Sequence, residues 1–428
     1  AGEVLLVERA WAIVPADGEG HVYGLAQACA QRWREANPLE RAAASHLQGG
    51  RAASTTARAR AIRSYFQACV ACERWAYYEG EPPRQPETWS QVIESNARRT
   101  EWWDPENLLL DEANPECGLW VLSSLFNHSC RGNVVITYCS STGRRPGLDL
   151  LVARAGTDVK AGDELCHTYV YPFETVTERR ARLMKSFGFE CTCQRCIVEA
   201  PLASTAKELA DALDEDVAAF TAARKSGRLQ LVKGVIVRLM FRMNDIEKAS
   251  LRLTALNVVK APTPAQAERA SKSAKAKKAP KTAQAEKVSQ TAQAEKAPGG
   301  GEDDQQVDAA TLWRSQFVWG YHGLAMAYET VGLMNEAAQA FANCVRLVVA
   351  IAPGSPYELK YRLMMLQSLS RAALIATLRE MPPRGPIKAA LKEAEAAHDR
   401  SYGGGGRHFV VRMGPRLAEA TEAMKRAK

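Results

Sequence analysis

The feature that most constrains this chain is Cys191-Thr192-Cys193-Gln194-Arg195-Cys196, a C-x-C-x-x-C cluster. Three thiols so close together can wrap one face of a tetrahedral metal but leave its fourth corner open. A fourth thiol must come from elsewhere, and Cys130, in Leu125-Phe126-Asn127-His128-Ser129-Cys130, is the best placed by sequence context. The expectation is one structural zinc held by Cys130, Cys191, Cys193 and Cys196. It pins the end of this stretch against the Asn-His segment and builds a pocket between them.

The 428 residues allow two or three domains with large cores. The 11 cysteines are not spaced like a small secreted disulfide framework. Ala1 to Arg9 carries charges where a signal peptide needs an apolar core, and no apolar run approaches the ~18 residues of a membrane span. A reducing compartment, cytoplasmic and/or nuclear, is therefore expected, where clustered cysteines favour metal over disulfides. A formal charge of +8 is modest for this length and argues only weakly for nucleic acid.

Residues 3–8 and Trp11 to Val14 read as strands, followed by a turn at Asp17 to Gly20. Residues 16–99 read as a helical insertion, with Ile62, Tyr65, Phe66 and Cys69 at helical spacing. Val134 to Tyr138 and Leu148 to Ala153 predict a hairpin around a turn at Thr142 to Gly147, and a further strand is expected near Glu164 to Thr168. Thr175 followed by Glu178 has capping-box spacing. The helix it starts is expected to put Arg180, Leu183, Met184 and Phe187 on one side and to stop at Gly188. Further helices are expected over 201–260.

Residues 261–308 contain no aromatic residue, and Thr282 to Lys287 recurs as Thr291 to Lys296. Eight Lys and Arg stand against three Glu in 261–300. Such a segment buries too little apolar surface to offset its ordering entropy, so a disordered basic linker is expected, a tether rather than a nucleic-acid arm. Over 309–428 helical periodicity returns. Ala325, Tyr328, Gly332, Ala337, Phe341 and Cys344 fit the spacing of a tetratricopeptide helix pair, and Gly403 to Gly406 break the chain before a last helix over roughly Pro415 to Ala427.

Asn127-His128-Ser129-Cys130, Glu164-Leu165 with Tyr169, and the closing cysteine cluster together resemble SET-domain protein lysine methyltransferases. The chain is most similar to the SET-and-MYND branch, with its cysteine-rich post-SET segment and tetratricopeptide-like C-terminal helices. The resemblance implies an α+β fold with a small-stranded SET core over 1–15 and 100–190, a post-SET zinc segment over 191–200 and the helical domain beyond. It departs twice. The family's Gly-x-Gly would lie before Ala1, so a chain truncated at its start is expected; Gly18-Glu19-Gly20 has the letters on the wrong side of the first strand. No MYND finger is visible, since Cys69-x-x-Cys72 lacks partners and reads as packed thiols. Cys29, Cys117, Cys139, Cys166 and Cys344 also read as packing residues.

The family implies transfer of a methyl group from S-adenosylmethionine to a protein lysine, histone or not. By this resemblance Asn127 and His128 bind the cofactor, Ser124 and Phe126 flank it, and Phe189 lies against adenine. Tyr169 is the active-site tyrosine and Phe187 lines the lysine channel. Zinc and S-adenosylmethionine are the cofactors. A peptide substrate and a partner of the helical repeats are the expected partners, with no membrane and nucleic acid at most weakly. The alternative is a non-catalytic SET and tetratricopeptide-like interaction scaffold.

Overall fold

The computed structural model describes residues 1–15, 21–36, 40–41, 44, 47, 89–99, 116–139, 150–255, 307–376 and 384–426. The turns expected at 17–20 and 142–147, the helix with Ile62 to Cys72, its Cys69-Cys72 pair, and residues 261–306 of the linker lie outside them.

Strands β1 (Val4–Arg9), β2 (Ala12–Pro15), β3 (Arg98–Arg99), β4 (Glu116–Leu119), β5 (Asn127–His128), β6 (Val134–Cys139), β7 (Leu150–Ala155) and β8 (Cys166–His167) make three small sheets. In order they run β1-β7-β6, β2-β4-β3 and β5-β8. The expected hairpin forms as β6 and β7, antiparallel, with Val134 opposite Ala155. Period-two alternation buries Leu151, Ala153 and Ala155 of β7, and Leu151 and Ala153 pack with Leu6, Trp120, Ile136 and Tyr138.

The described part of 16–99 contributes helices α1 (His21–Glu35) and α2 (Trp89–Asn96), but Arg98–Arg99 leaves it to pair with β4. Trp11, Trp33 and Trp89 close a second core, with ring centroids 6.0–6.5 Å apart.

Helix α3 (Val176–Phe187) starts on the predicted capping box at Thr175 and Glu178 and ends at Gly188, whose φ of 71° is the left-handed stop. Its buried residues are Val176, Arg179 and Leu183, while Met184 is exposed, which corrects the predicted face. The rotation points Arg179 at the cysteines. A short helix, α4 (Gln194–Glu199), carries the last of them.

Helices α5 (Ala203–Lys225), α6 (Leu229–Ala255), α7 (Ala309–Arg314), α8 (Val318–Thr330), α9 (Met334–Ile351), α10 (Pro356–Ile375), α11 (Arg384–Tyr402) and α12 (Gly405–Arg426) form the helical remainder. Helices α8 and α9 are the two expected around Gly332, which turns the chain with φ of 84°. Where α8 crosses α5 and α6, a Cβ on Gly320 would meet Leu213 at 2.5 Å and Met243 at 2.7 Å. The last helix starts ten residues earlier than expected, with Pro415 inside it. Gly403, Gly404 and Gly405 all have positive φ, so they turn the chain and helix resumes at once. Pro415 cannot donate to the Val411 carbonyl. Val411 is 77% exposed, so water reaches that turn.

The helical region is bonded to the SET-like core. Arg131 donates to the Ala350 carbonyl at 2.9 Å, Arg154 to the Tyr402 carbonyl at 2.9 Å, and the Val176 N–H to Gln316 Oε1 at 2.9 Å. Among the described residues, no helix is long and apolar enough to cross a membrane.

Candidate active site and metal centre

The site is built where two distant segments run side by side. Asn127 pairs with Cys166 and His128 with His167, in parallel. This strand is shorter than the predicted Glu164 to Thr168. The side chain of Asn133 replaces a strand partner at its start, donating to the Glu164 carbonyl at 2.9 Å and accepting from the Cys166 N–H at 2.8 Å. The approach depends on Gly132, where a Cβ would lie 2.7 Å from both the Cys166 oxygen and the His167 Cα.

That crossing brings the predicted residues together. The Tyr169 hydroxyl donates to the Phe126 carbonyl at 2.5 Å. The Tyr169 ring lies 5.2 Å from His128, 4.9 Å from His167 and 4.9 Å from Phe187. Phe189 continues the aromatic wall, 6.4 Å from Phe187 and 6.0 Å from His128. Asn127 is exposed and donates to Glu164 Oε1 at 2.5 Å. The Ser124 hydroxyl is bonded to the backbone carbonyls of Trp120 and Asn96, at 2.7 and 3.2 Å, rather than directed at the aromatic wall.

Behind this wall lies a buried polar layer. Glu8 accepts the N–H groups of Leu122 at 2.8 Å and Ser123 at 2.9 Å, and Arg98 donates to the Ser123 carbonyl at 2.9 Å. These bonds hold the turn that delivers Phe126 and Asn127. Burial pushes the Glu8 carboxyl up to about 7. Burial, then the charge of Arg98, holds His167 well below the ordinary histidine range, so that ring is neutral.

The four cysteine sulfurs all lie within 4.8 Å of one another. Cys130 is 3.5 Å from Cys196 and 3.9 Å from Cys191. A zinc tetrahedron with ~2.3 Å arms has edges of about 3.8 Å, so the spacing fits that ion. The thiols compete for negative charge. Hydrogen bonding, with Cys130 first, draws Cys193 down to about 6, while its three neighbours push Cys130 up. A cation removes that competition by stabilising every thiolate.

Sequence reading missed the groups around this cluster. Arg179, Arg195 and Glu199 look like ordinary helix-surface charges, yet their side chains are fully buried. Burial pulls the Arg179 guanidinium down, but Glu199, then Cys130 and Cys196, hold it well above the ordinary arginine range. One signal was available in the sequence, since Arg195 falls inside the cysteine motif. Glu8 also had one, as a carboxylate in an apolar strand.

A protein-family profile described as SET domain matches residues 30–170. Histone-lysine N-methyltransferase set5 of Schizosaccharomyces pombe is 37% identical over 92 residues, 22% of this chain and 26% of that protein. Histone-lysine N-methyltransferase SET5 of Yarrowia lipolytica is 35% identical over 112 residues, 26% of this chain and 23% of its own length. A SET and MYND domain-containing protein of Dictyostelium discoideum is 31% identical over 86 residues, 20% of this chain and 15% of its own. The chain thus spans about a quarter, or less, of the curated relatives it matches. Residues 30–170 thus match a SET domain, and over part of its length the chain is similar to proteins named as lysine methyltransferases.

Proposed function

We propose that this protein is a protein-lysine N-methyltransferase that uses S-adenosylmethionine, with Tyr169 as its active-site tyrosine. The observation that carries the reading is the Tyr169 hydroxyl anchored on the Phe126 carbonyl, one residue before Asn127. A phenol fixed in this way is oriented before substrate arrives, and orientation supplies much of the rate of a displacement reaction.

When bound, S-adenosylmethionine supplies a methyl group activated by the positive sulfonium. The chain's own residues do the rest. Asn127 offers a donor and an acceptor for the amino-acid end of the cofactor once its bond to Glu164 is exchanged, and Phe189 and the backbone at His128 offer a face and edge for adenine. The donor set fits such a group, because it pairs an exposed amide with an aromatic platform. Phe187 and Tyr169 wall a channel in which an entering lysine is desolvated, which lowers its pKa and favours the neutral amine. The Tyr169 oxygen aims that amine.

A structural zinc on Cys130, Cys191, Cys193 and Cys196 holds residues 191–200 against the Asn-His strand. The segments assigned above, SET core, insertion, post-SET segment, linker and helical domain, are the proposed division of the chain. The helices of 309–428 frame a peptide cleft and offer a tetratricopeptide-like surface for a partner. The relatives' histone-lysine names suggest histones as substrate and the nucleus as a place of action, with the cytoplasm also open to a protein of this composition. The test is transfer of labelled methyl from S-adenosylmethionine to lysines on a protein array by the full-length protein. Labelled lysine supports the enzyme. Cofactor binding without transfer, or no binding, supports the scaffold reading.

A further inference from the structure

Two arginines and one glutamate are sealed beneath the cysteines, all three side chains at 0% exposure. A buried charge is costly unless paired, and Glu199 alone cannot balance two guanidinium groups. The arrangement shows where the remaining positive charge is directed. Arg195 is fixed from below: its Nε donates to Glu199 Oε1 at 2.7 Å, and its Nη1 to the carbonyls of Pro172 at 2.7 Å and Cys130 at 3.1 Å. Glu199 uses its other oxygen to pair with Arg179 Nη2. Arg179 is also tied through Nη1 to the Glu174 carbonyl at 2.5 Å. What is left of the Arg179 fork faces sulfur: Nε lies 3.3 Å from Cys130 Sγ and Nη2 lies 3.8 Å from Cys196 Sγ.

We propose that Arg179 is a positioning residue for the cysteine-held metal, acting as counter-cation to the thiolates of Cys130 and Cys196 while Glu199 and Arg195 fix its angle. The proposal rests on the zinc reading above. Four thiolates around a divalent cation carry a net charge of about −2, and the two arginines with Glu199 contribute about +1, so the sealed layer offsets part of the cluster's charge. The planar fork matters as well as the charge. Only a guanidinium can donate to two sulfurs, a carboxylate and a carbonyl from one fixed plane, so lysine is a poor substitute. Outer partners of this kind orient metal ligands and commonly tune affinity by 10–100-fold.

The test is a zinc competition against a chromogenic chelator with the whole chain, wild type beside R179Q and R179K, paired with the absorption spectrum of the cobalt(II)-substituted proteins. Loss of the fork should raise the zinc dissociation constant by about 10–100-fold in R179Q and by a smaller factor in R179K. It should also move the sulfur-to-cobalt charge-transfer band to lower energy in both, because a thiolate without its N–H donor is richer in electrons. The band reports the sulfurs directly, which a general loss of packing would not shift in this sense. If R179Q does not fold, R179K decides. Variants that bind zinc within about twofold of wild type and keep the cobalt band unshifted overturn the proposal alone. Wild-type protein that retains no zinc overturns it together with the zinc reading.

Discussion

The ring of His128 accepts the backbone N–H of Tyr169 at Nδ1, 2.9 Å away. Its proton therefore sits on Nε2, which lies 3.2 Å from Cys130 Sγ. One imidazole thus bridges the aromatic wall and the cysteine cluster.

Removal of the metal should loosen both. Cys193→Ser should abolish zinc retention, measured by elemental analysis against one zinc per wild-type chain. It should also expose the amides of residues 166–199 to faster hydrogen exchange, because a metal site contributes its binding energy to folding. Unchanged zinc content would overturn the four-thiolate site.

Gly132→Ala should destabilise the protein by about 1–3 kcal/mol, the cost of overpacking a site that cannot give way. Both atoms that the new methyl would meet at 2.7 Å belong to the backbone of Cys166 and His167. Denaturant unfolding measures the change, and a loss below about 0.5 kcal/mol would mean that the crossing is loose.

Glu8 predicts a slope of stability with pH. Burial raises its carboxyl from 4.5 to about 7, so the folded chain holds that proton more tightly than the unfolded chain. The stabilisation is full below about pH 4.5 and is lost as pH rises through 7, a change of about 3 kcal/mol for a shift of this size. Glu8→Gln, which cannot ionise, should flatten the melting temperature across that range. A Gln variant with the wild-type slope would place the titration elsewhere.

Asn127→Ala should weaken S-adenosylmethionine binding about tenfold or more, the usual cost of losing hydrogen bonds to a charged ligand. Calorimetry on the full-length protein reads it directly, with the melting temperature as a control. The side chain is exposed and bonded only to Glu164 in the described structure, so the fold should tolerate the change.

Much of this site was legible because its signals are local. The cysteine spacing, the capping box at Thr175 and Glu178, and the stop at Gly188 each concern a few adjacent residues, and each takes its expected form. What was hidden depends on which side a helix turns inward. Helical spacing allowed either Met184 or Arg179 to face the core, and the charge partners that decide for Arg179 lie on another helix, at Glu199, and on β5's flank, at Cys130. The start of α12 was missed for a related reason. Three left-handed glycines turn a chain in as few residues as needed, and sequence does not say that the helix resumes immediately.

The most direct test of the account is turnover by Tyr169→Phe in the full-length protein, measured with its affinity for S-adenosylmethionine. The substitution removes only the hydroxyl that bonds to Phe126 and leaves the ring against His128, His167 and Phe187. A group that acts mainly in the transition state changes turnover rather than binding. Methyl transfer should fall about 10²–10³-fold, with cofactor affinity within a few-fold of wild type. Equal transfer with Phe at this position would contradict it.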